Sequence, residues 1–164
     1  MAPQMTEPPG DGPLFELTTF LHGRTRAWGI FEDRFGKLRR RIDVEMVGTW
    51  RDGVFVLDER FTYDGRETET RTWLVEPQGH GRFRASCPDC VGEATGICDA
   101  ESIRMSYRFR LRLEKREIIV SFDDRIFRMA NATAVNRATM SKWGVKLGEL
   151  SLFFERVDDT RAAA

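Results

Sequence analysis

The residues best placed for chemistry are four charged side chains that fall on apolar parities. Glu59 is in step with Leu57 and Phe61, Asp124 with Phe122 and Ile126, Arg71 with Trp73, and Arg137 with Val135. Successive side chains of a strand point to opposite faces, so in unbroken strands these charges share the face of their apolar neighbours. An isolated charge there would cost several kcal/mol, so the four must pair. The expectation is an interior ionic cluster of Glu59, Arg71, Asp124 and Arg137, with Trp73 beside it, lining a ligand cavity. The plainer alternative is a closed network that fixes register or seals one end. A bulge in any of these strands would shift the parity.

Other constellations are weaker. Cys87-Pro88-Asp89-Cys90, with Cys98, has the spacing of half a zinc site or a redox pair. A structural zinc needs four ligands, and His80 is the sole histidine nearby, so the plain reading is small residues at a strand break. His22 and His80 are the two histidines, and no Gly-x-Ser-x-Gly elbow is present. Asp123 and Asp124 adjoin and should face opposite sides, with Asp123 solvated and Asp124 paired. Arg39-Arg40-Arg41 and the row Arg104, Arg108, Arg110 and Arg112 offer phosphate-binding charge. Cross-strand acids such as Asp43 and Glu45 would neutralise that row.

The elements that must hold these residues are strands. Ile103, Met105, Tyr107, Phe109, Leu111 and Leu113 alternate with Arg104, Ser106, Arg108, Arg110 and Arg112. That pattern predicts an antiparallel strand with one face in a core and one in water. Shorter alternations occur at Ile42–Met46, Phe55–Tyr63, Ile118–Ile126 and Leu150–Phe154. Asp52-Gly53, Asp64-Gly65 and Gly79-His80-Gly81 punctuate them as turns. Upstream, Leu14, Leu17 and Leu21 form one helical stripe with Phe20 beside it, and Gly23 is a natural stop. This predicts a short helix that plugs one end of a barrel. Residues 1–13 read as a disordered arm, 14–157 as one β domain, and 158–164 as a disordered tail.

The chain has 164 residues, 26 Lys plus Arg and 26 Asp plus Glu, for a net charge of zero. That length suffices for one domain with its own core, and the charge balance argues against nucleic acid as partner. No apolar stretch approaches the roughly 20 residues of a membrane span. The start lacks the basic and apolar segments of a signal peptide, and three cysteines do not suit a secreted disulfide framework. The expectation is a soluble, cytoplasmic protein, with no cofactor and no assigned oligomeric state.

Two stretches resemble an uncharacterised bacterial family, the domain of unknown function numbered 3833. One is Ala27-Trp28-Gly29-Ile30-Phe31-Glu32-Asp33-Arg34, followed by Gly48-Thr49-Trp50. The other runs from Asn136-Arg137-Ala138-Thr139-Met140 through Ser141-Lys142-Trp143-Gly144-Val145-Lys146-Leu147-Gly148-Glu149 into Leu152-Phe153-Phe154. The resemblance covers about residues 14–157. The spacing of the alternating runs predicts about eight to ten antiparallel strands in up-and-down order, as a barrel or a sandwich, and the resemblance implies the lipocalin-like barrel, with Arg137 packed over Trp28. It implies no activity. Many relatives look like lipoproteins with an anchoring cysteine, which this start lacks, and Cys87 and Cys90 are not part of the shared pattern.

The reading that follows is a non-enzymatic barrel for a small, largely apolar or amphiphilic ligand, bound by Glu59, Arg71, Trp73, Asp124, Asn136 and Arg137. A filled barrel whose Met140–Gly148 loop meets a partner is the second reading. An enzyme using an interior carboxylate for proton transfer is the third.

Overall fold

The structure is a computed structural model that describes residues 13–130 and 132–157. Most of the expected arm, and all of the expected tail at 158–164, lie outside the described residues. The elements run α1 (Leu17–Phe20), β1 (Gly23–Asp33), β2 (Leu38–Arg51), β3 (Val54–Tyr63), β4 (Glu67–Gly79), β5 (Arg82–Ser86), β6 (Ala94–Cys98), β7 (Ser102–Leu113), β8 (Arg116–Arg128), β9 (Thr133–Lys142) and β10 (Val145–Arg156). Each strand pairs antiparallel with its sequence neighbours, and β1 pairs with β10, so the ten form a closed up-and-down barrel. Closure pairs each strand with a neighbour on both sides, save at one seam described below.

Alternation decides what faces inward. On β2, Ile42, Val44 and Met46 are buried while Arg41, Glu45 and Val47 are exposed. On β7, Ile103 and Phe109 are buried and Arg104, Arg108 and Arg112 face water. Arg110 pairs with Glu117 at 3.4 Å and Arg112 with Asp89 at 3.7 Å. Asp43, expected to neutralise this row, instead binds Arg26 at 2.7 Å.

The helix is shorter than its stripe suggested: one turn, with Leu14 outside it and exposed. Phe15, Leu17, Phe20 and Leu21 supply the buried side chains instead. They close the end of the barrel where the chain enters, with Phe15 N–H donating to the Asp99 carbonyl at 2.7 Å. We call this end the base. The opposite end, the rim, carries the hairpins β1–β2, β3–β4, β5–β6, β7–β8 and β9–β10. No helix among the described residues is long and apolar enough to cross a membrane.

Two irregularities shape the interior. The first is a bulge in β10. The two-residue turn Trp143-Gly144 sets Val145 opposite Lys142, but beyond Lys146 the register slips and Gly148 faces Met140. Leu147 is the extra residue. The second is a seam. β5 and β6 have five residues each, and β5 joins β4 only from Leu74 onward, while β6 joins β7 only as far as Ser106. Towards the rim β4 and β7 therefore splay apart. Residues 87–93 run along β7 there: Arg110 N–H donates to the Asp89 carbonyl at 2.8 Å, and Val91 N–H to the Arg108 carbonyl at 3.0 Å.

Gly48 on β2 lets the plug seat, since a Cβ there would lie 2.1 Å from the Leu21 carbonyl oxygen and 2.5 Å from the Phe55 ring. Gly48→Ala is expected to lower stability by about 1–3 kcal/mol, the range for overpacking a tight site. Chemical denaturation should show a lower midpoint at unchanged slope.

Candidate functional site

The inward faces of β3, β4, β7, β8 and β9 bring two polar groups of residues into an otherwise apolar interior. In the first, Glu59 on β3 stands directly opposite Arg71 on β4. Their side chains are each 13% exposed, and Arg71 Nη1 lies 3.9 Å from Glu59 Oε2. Arg71 Nη2 donates to Glu69 Oε1 at 3.2 Å, and Tyr63 Oη donates to Glu69 Oε2 at 3.0 Å. The Arg71 guanidinium is sandwiched between the Phe61 and Phe109 rings, at 4.8 and 4.5 Å. In the second group Asp124 on β8 accepts from Tyr107 Oη at 3.0 Å and from Asn136 Nδ2 at 2.8 Å. Trp73 joins the two, its ring packed edge-on to Tyr107 at 5.3 Å between centroids.

Of these residues, Glu59, Arg71, Trp73, Tyr107, Asp124 and Asn136 line a cavity of about 100 Å³. Leu17 and Leu21 bound it at the base, and Leu57, Met105, Ile126 and Leu152 form its walls. On the rim side of Arg71 a second hollow of about 490 Å³ lies in the seam between β4 and β7, reaching Glu69, Asp89 and Phe109. Arg71 lines both spaces and so stands between interior and solvent.

Of the expected site residues, Glu59, Arg71, Trp73, Asp124 and Asn136 come together around the cavity. Arg137 does not. Its side chain is 56% exposed and forms an ion pair with Glu149 on the outer wall. The bulge at Leu147 is the reason. An unbroken hairpin from Trp143-Gly144 would set Arg137 opposite inward-facing Leu150. The extra residue sets it opposite Ser151 and puts Asn136 opposite Leu152. Trp28 also faces outward, with Arg26, not Arg137, over its ring at 5.8 Å. Tyr107 was visible in sequence only as a core aromatic, yet its hydroxyl holds Asp124. Glu69 was not foreseen, although it shares Arg71's parity two residues away.

Burial dominates the electrostatics. It pushes the Glu59 carboxyl up to about 7, with the Arg71 charge and the Trp73 indole opposing. Burial likewise raises Asp124, against its hydrogen bonds from Asn136 and Tyr107. For Arg71, burial works against the charge, but Glu59 and Glu69 outweigh it and hold the guanidinium protonated. Glu59 Oε2 and Arg71 Nε are buried and have no hydrogen-bond partner in the protein. Asp123 is exposed on the outer face, as its parity predicts.

The cysteines divide between the two ends. Cys98 closes β6 near the base, whereas Cys87 and Cys90 lie in the seam segment at the rim. All three are free thiols. A hydrogen bond from Cys90 pulls the Cys87 thiol down to about 7, against burial. Among the described residues no group of three or more His, Cys, Asp and Glu is arranged to hold a metal.

Two outcomes follow from these protonation states. Glu59 binds its proton more tightly folded than unfolded, so its contribution favours the fold at low pH and is lost as pH rises from about 4.5 towards 7. A shift of this size corresponds to about 3 kcal/mol. Glu59→Gln should flatten the decline in melting temperature between pH 5 and pH 8, which thermal melts by circular dichroism would read. Separately, iodoacetamide should alkylate Cys87 with a midpoint near pH 7, and Cys90→Ala should move that midpoint upward.

No curated protein matches the chain in sequence. Among solved structures, an S-type phycobiliprotein lyase, CPES, from Guillardia theta superposes with a TM-score of 0.61 at 8% identity, covering 86% of this chain and 90% of that one. At that identity the likeness is one of fold, and it agrees with the lipocalin-like barrel. A family model matches residues 1–156, nearly the whole chain. The chain therefore belongs to the family described as protein of unknown function, DUF3833.

Proposed function

We propose that the barrel binds a small molecule with an apolar body and one uncharged polar head. The observation that carries this reading is the pair of buried atoms without partners, Glu59 Oε2 and Arg71 Nε, on residues that line a mostly apolar cavity. Leaving such a donor and acceptor unmade costs about 1–3 kcal/mol each. A head that accepts from Arg71 Nε and donates to Glu59 Oε2 removes both penalties at once. An alcohol, an amide or a carboxylic acid has this capacity. A strongly charged head fits less well, because Arg71 is already paired with Glu69 and a second charge among these apolar walls would lose its hydration.

The cavity, about 100 Å³, sets the size. It is smaller than the few hundred Å³ of pockets for drug-sized ligands. The body is therefore short, or it extends past Arg71 into the seam, which adds the 490 Å³ hollow. Entry through the seam requires Arg71 to swing from between Phe61 and Phe109. The fold likeness to a lyase that acts on phycobiliproteins supports a ligand-holding barrel in general terms and says nothing of this ligand.

Native mass spectrometry of protein purified from its own cells should show a small non-covalent adduct. Calorimetric titration with 1-hexanol should show saturable binding, weakened about tenfold by Glu59→Leu, the loss of one buried hydrogen bond. That variant leaves Arg71 paired with Glu69, and a cooperative melting curve is the check that it folds. A bare mass together with no 1-hexanol binding would overturn the reading.

A further inference from the structure

The rim carries two aromatic side chains that folding does not explain. Trp143 is the first residue of the two-residue turn between β9 and β10; it is 90% exposed and has φ 52°. That left-handed backbone favours Gly, Asn or Asp. The β2–β3 turn follows the rule with Asp52 at φ 50° and Gly53 at φ 78°. A bulky residue at this position strains the backbone, and at 90% exposure it regains almost nothing by packing. On the adjacent hairpin, β1–β2, Phe35 is 79% exposed at the tip. Leu38, Leu113 and Val145 are also exposed at the bases of these and the β7–β8 hairpins.

Charge around the rim is sorted. β1 pairs with β10, and β9 with β8, so the hairpins β1–β2, β9–β10 and β7–β8 are consecutive around the barrel. Their tips, 33–39, 142–146 and 113–116, hold Arg34, Lys37, Arg39, Lys115, Arg116, Lys142 and Lys146 against two acids, Asp33 and Glu114. The remaining tips, 63–67 and 86–93, hold Asp64, Glu67, Asp89 and Glu93 against Arg66 alone. In a chain of zero net charge, half the rim is cationic, and that half bears the exposed aromatics. Some of this charge is engaged, as Arg39 is by Asp33 and Lys146 by Glu149. Arg34 and Lys142 lie over the Phe35 and Trp143 rings themselves, at 4.7 and 4.6 Å.

We propose that this half of the rim docks on an anionic phospholipid bilayer, with Trp143 and Phe35 entering the headgroup layer. Tryptophan favours the membrane interface, where an apolar ring and a polar N–H are both satisfied. Clustered lysine and arginine are drawn to anionic lipid, roughly 1 kcal/mol for each near the surface. Projecting aromatics at separate hairpin tips suit a soft layer that yields around each ring. A nucleic-acid strand would need rings laid flat along a groove to stack its bases. The proposal goes beyond the cavity and does not depend on a ligand there.

Vesicle flotation tests it, using the full chain with phosphatidylcholine vesicles that contain a third phosphatidylglycerol, and with pure phosphatidylcholine as the comparison. The protein should float with the anionic vesicles and much less with the neutral ones, and added salt should weaken the binding. Trp143→Asn suits the left-handed turn, so it should weaken binding about tenfold at an unchanged or higher melting temperature. Lys37→Gln with Lys115→Gln should weaken it about thirtyfold at low salt. Glu59→Leu, inside the barrel, should float as the parent does. Failure of the parent to float with anionic vesicles would overturn the proposal. So would flotation indifferent to both the Trp143 and the lysine substitutions. Retention on single-stranded DNA without flotation would also overturn it and assign the surface to nucleic acid.

Discussion

Closing β1 on β10 gives each strand one dry face and one wet face, and the state of almost every charged side chain follows from which face it received. Outside the barrel, pairs such as Arg26 with Asp43 remain half in water and are worth little to stability. Inside, Glu59, Arg71 and Asp124 lose their hydration and must be compensated by one another or by neutral donors. The same closure pairs every strand on both sides except along the seam, where the rim half of β4 meets no neighbouring ladder, and all three cysteines are free thiols.

Two opposing effects set Glu59, which burial raises to about 7 beside an arginine. An ion pair at about 4 Å is worth roughly 4 kcal/mol at an effective dielectric of 20. Desolvating a carboxylate costs several kcal/mol even after relaxation. The Arg71–Glu59 contact, at 3.9 Å, is no hydrogen bond, and Arg71 is shared with Glu69 and with two aromatic faces. Desolvation therefore raises Glu59, while Arg71, hydrogen-bonded to Glu69, stays charged. Asp124 has two neutral donors and Arg71's distant charge, and burial still raises it. The result is a site with one firm cation, polar groups of adjustable protonation and apolar walls.

Arg71 also couples the site to the barrel's one interruption. Because β5 and β6 stop short of the rim, the wall between β4 and β7 is completed by a segment that uses backbone hydrogen bonds along β7 alone. That segment carries Cys87 and Cys90, and Arg71 sits behind it. Few hydrogen bonds hold this wall compared with the long ladders of β1, β2 and β10, so it should open locally at lower cost than those ladders.

Sequence alone determined the architecture, because strand period and turn chemistry are local. The alternation over 103–113, the Asp-Gly turns and the absence of helical patterns beyond residue 22 sufficed for an antiparallel barrel or sandwich, and the resemblance carried by Trp143-Gly144 and its neighbours pointed to the lipocalin-like barrel. Local parity also placed Glu59, Arg71, Asp124 and Trp73 inside. It failed at Arg137, where Val135 suggested the wrong face and where one extra residue, Leu147, on the partner strand exchanged Arg137 for Asn136. It failed again at Leu14, where three leucines at helical spacing could not show that the chain turns into β1 after a single helical turn. Which charges meet, that Tyr107 rather than an arginine holds Asp124, and that the aromatic and cationic tips gather on one half of the rim were decided only in the folded barrel. Those facts depend on register between strands far apart in sequence, and a single bulge is enough to reset it.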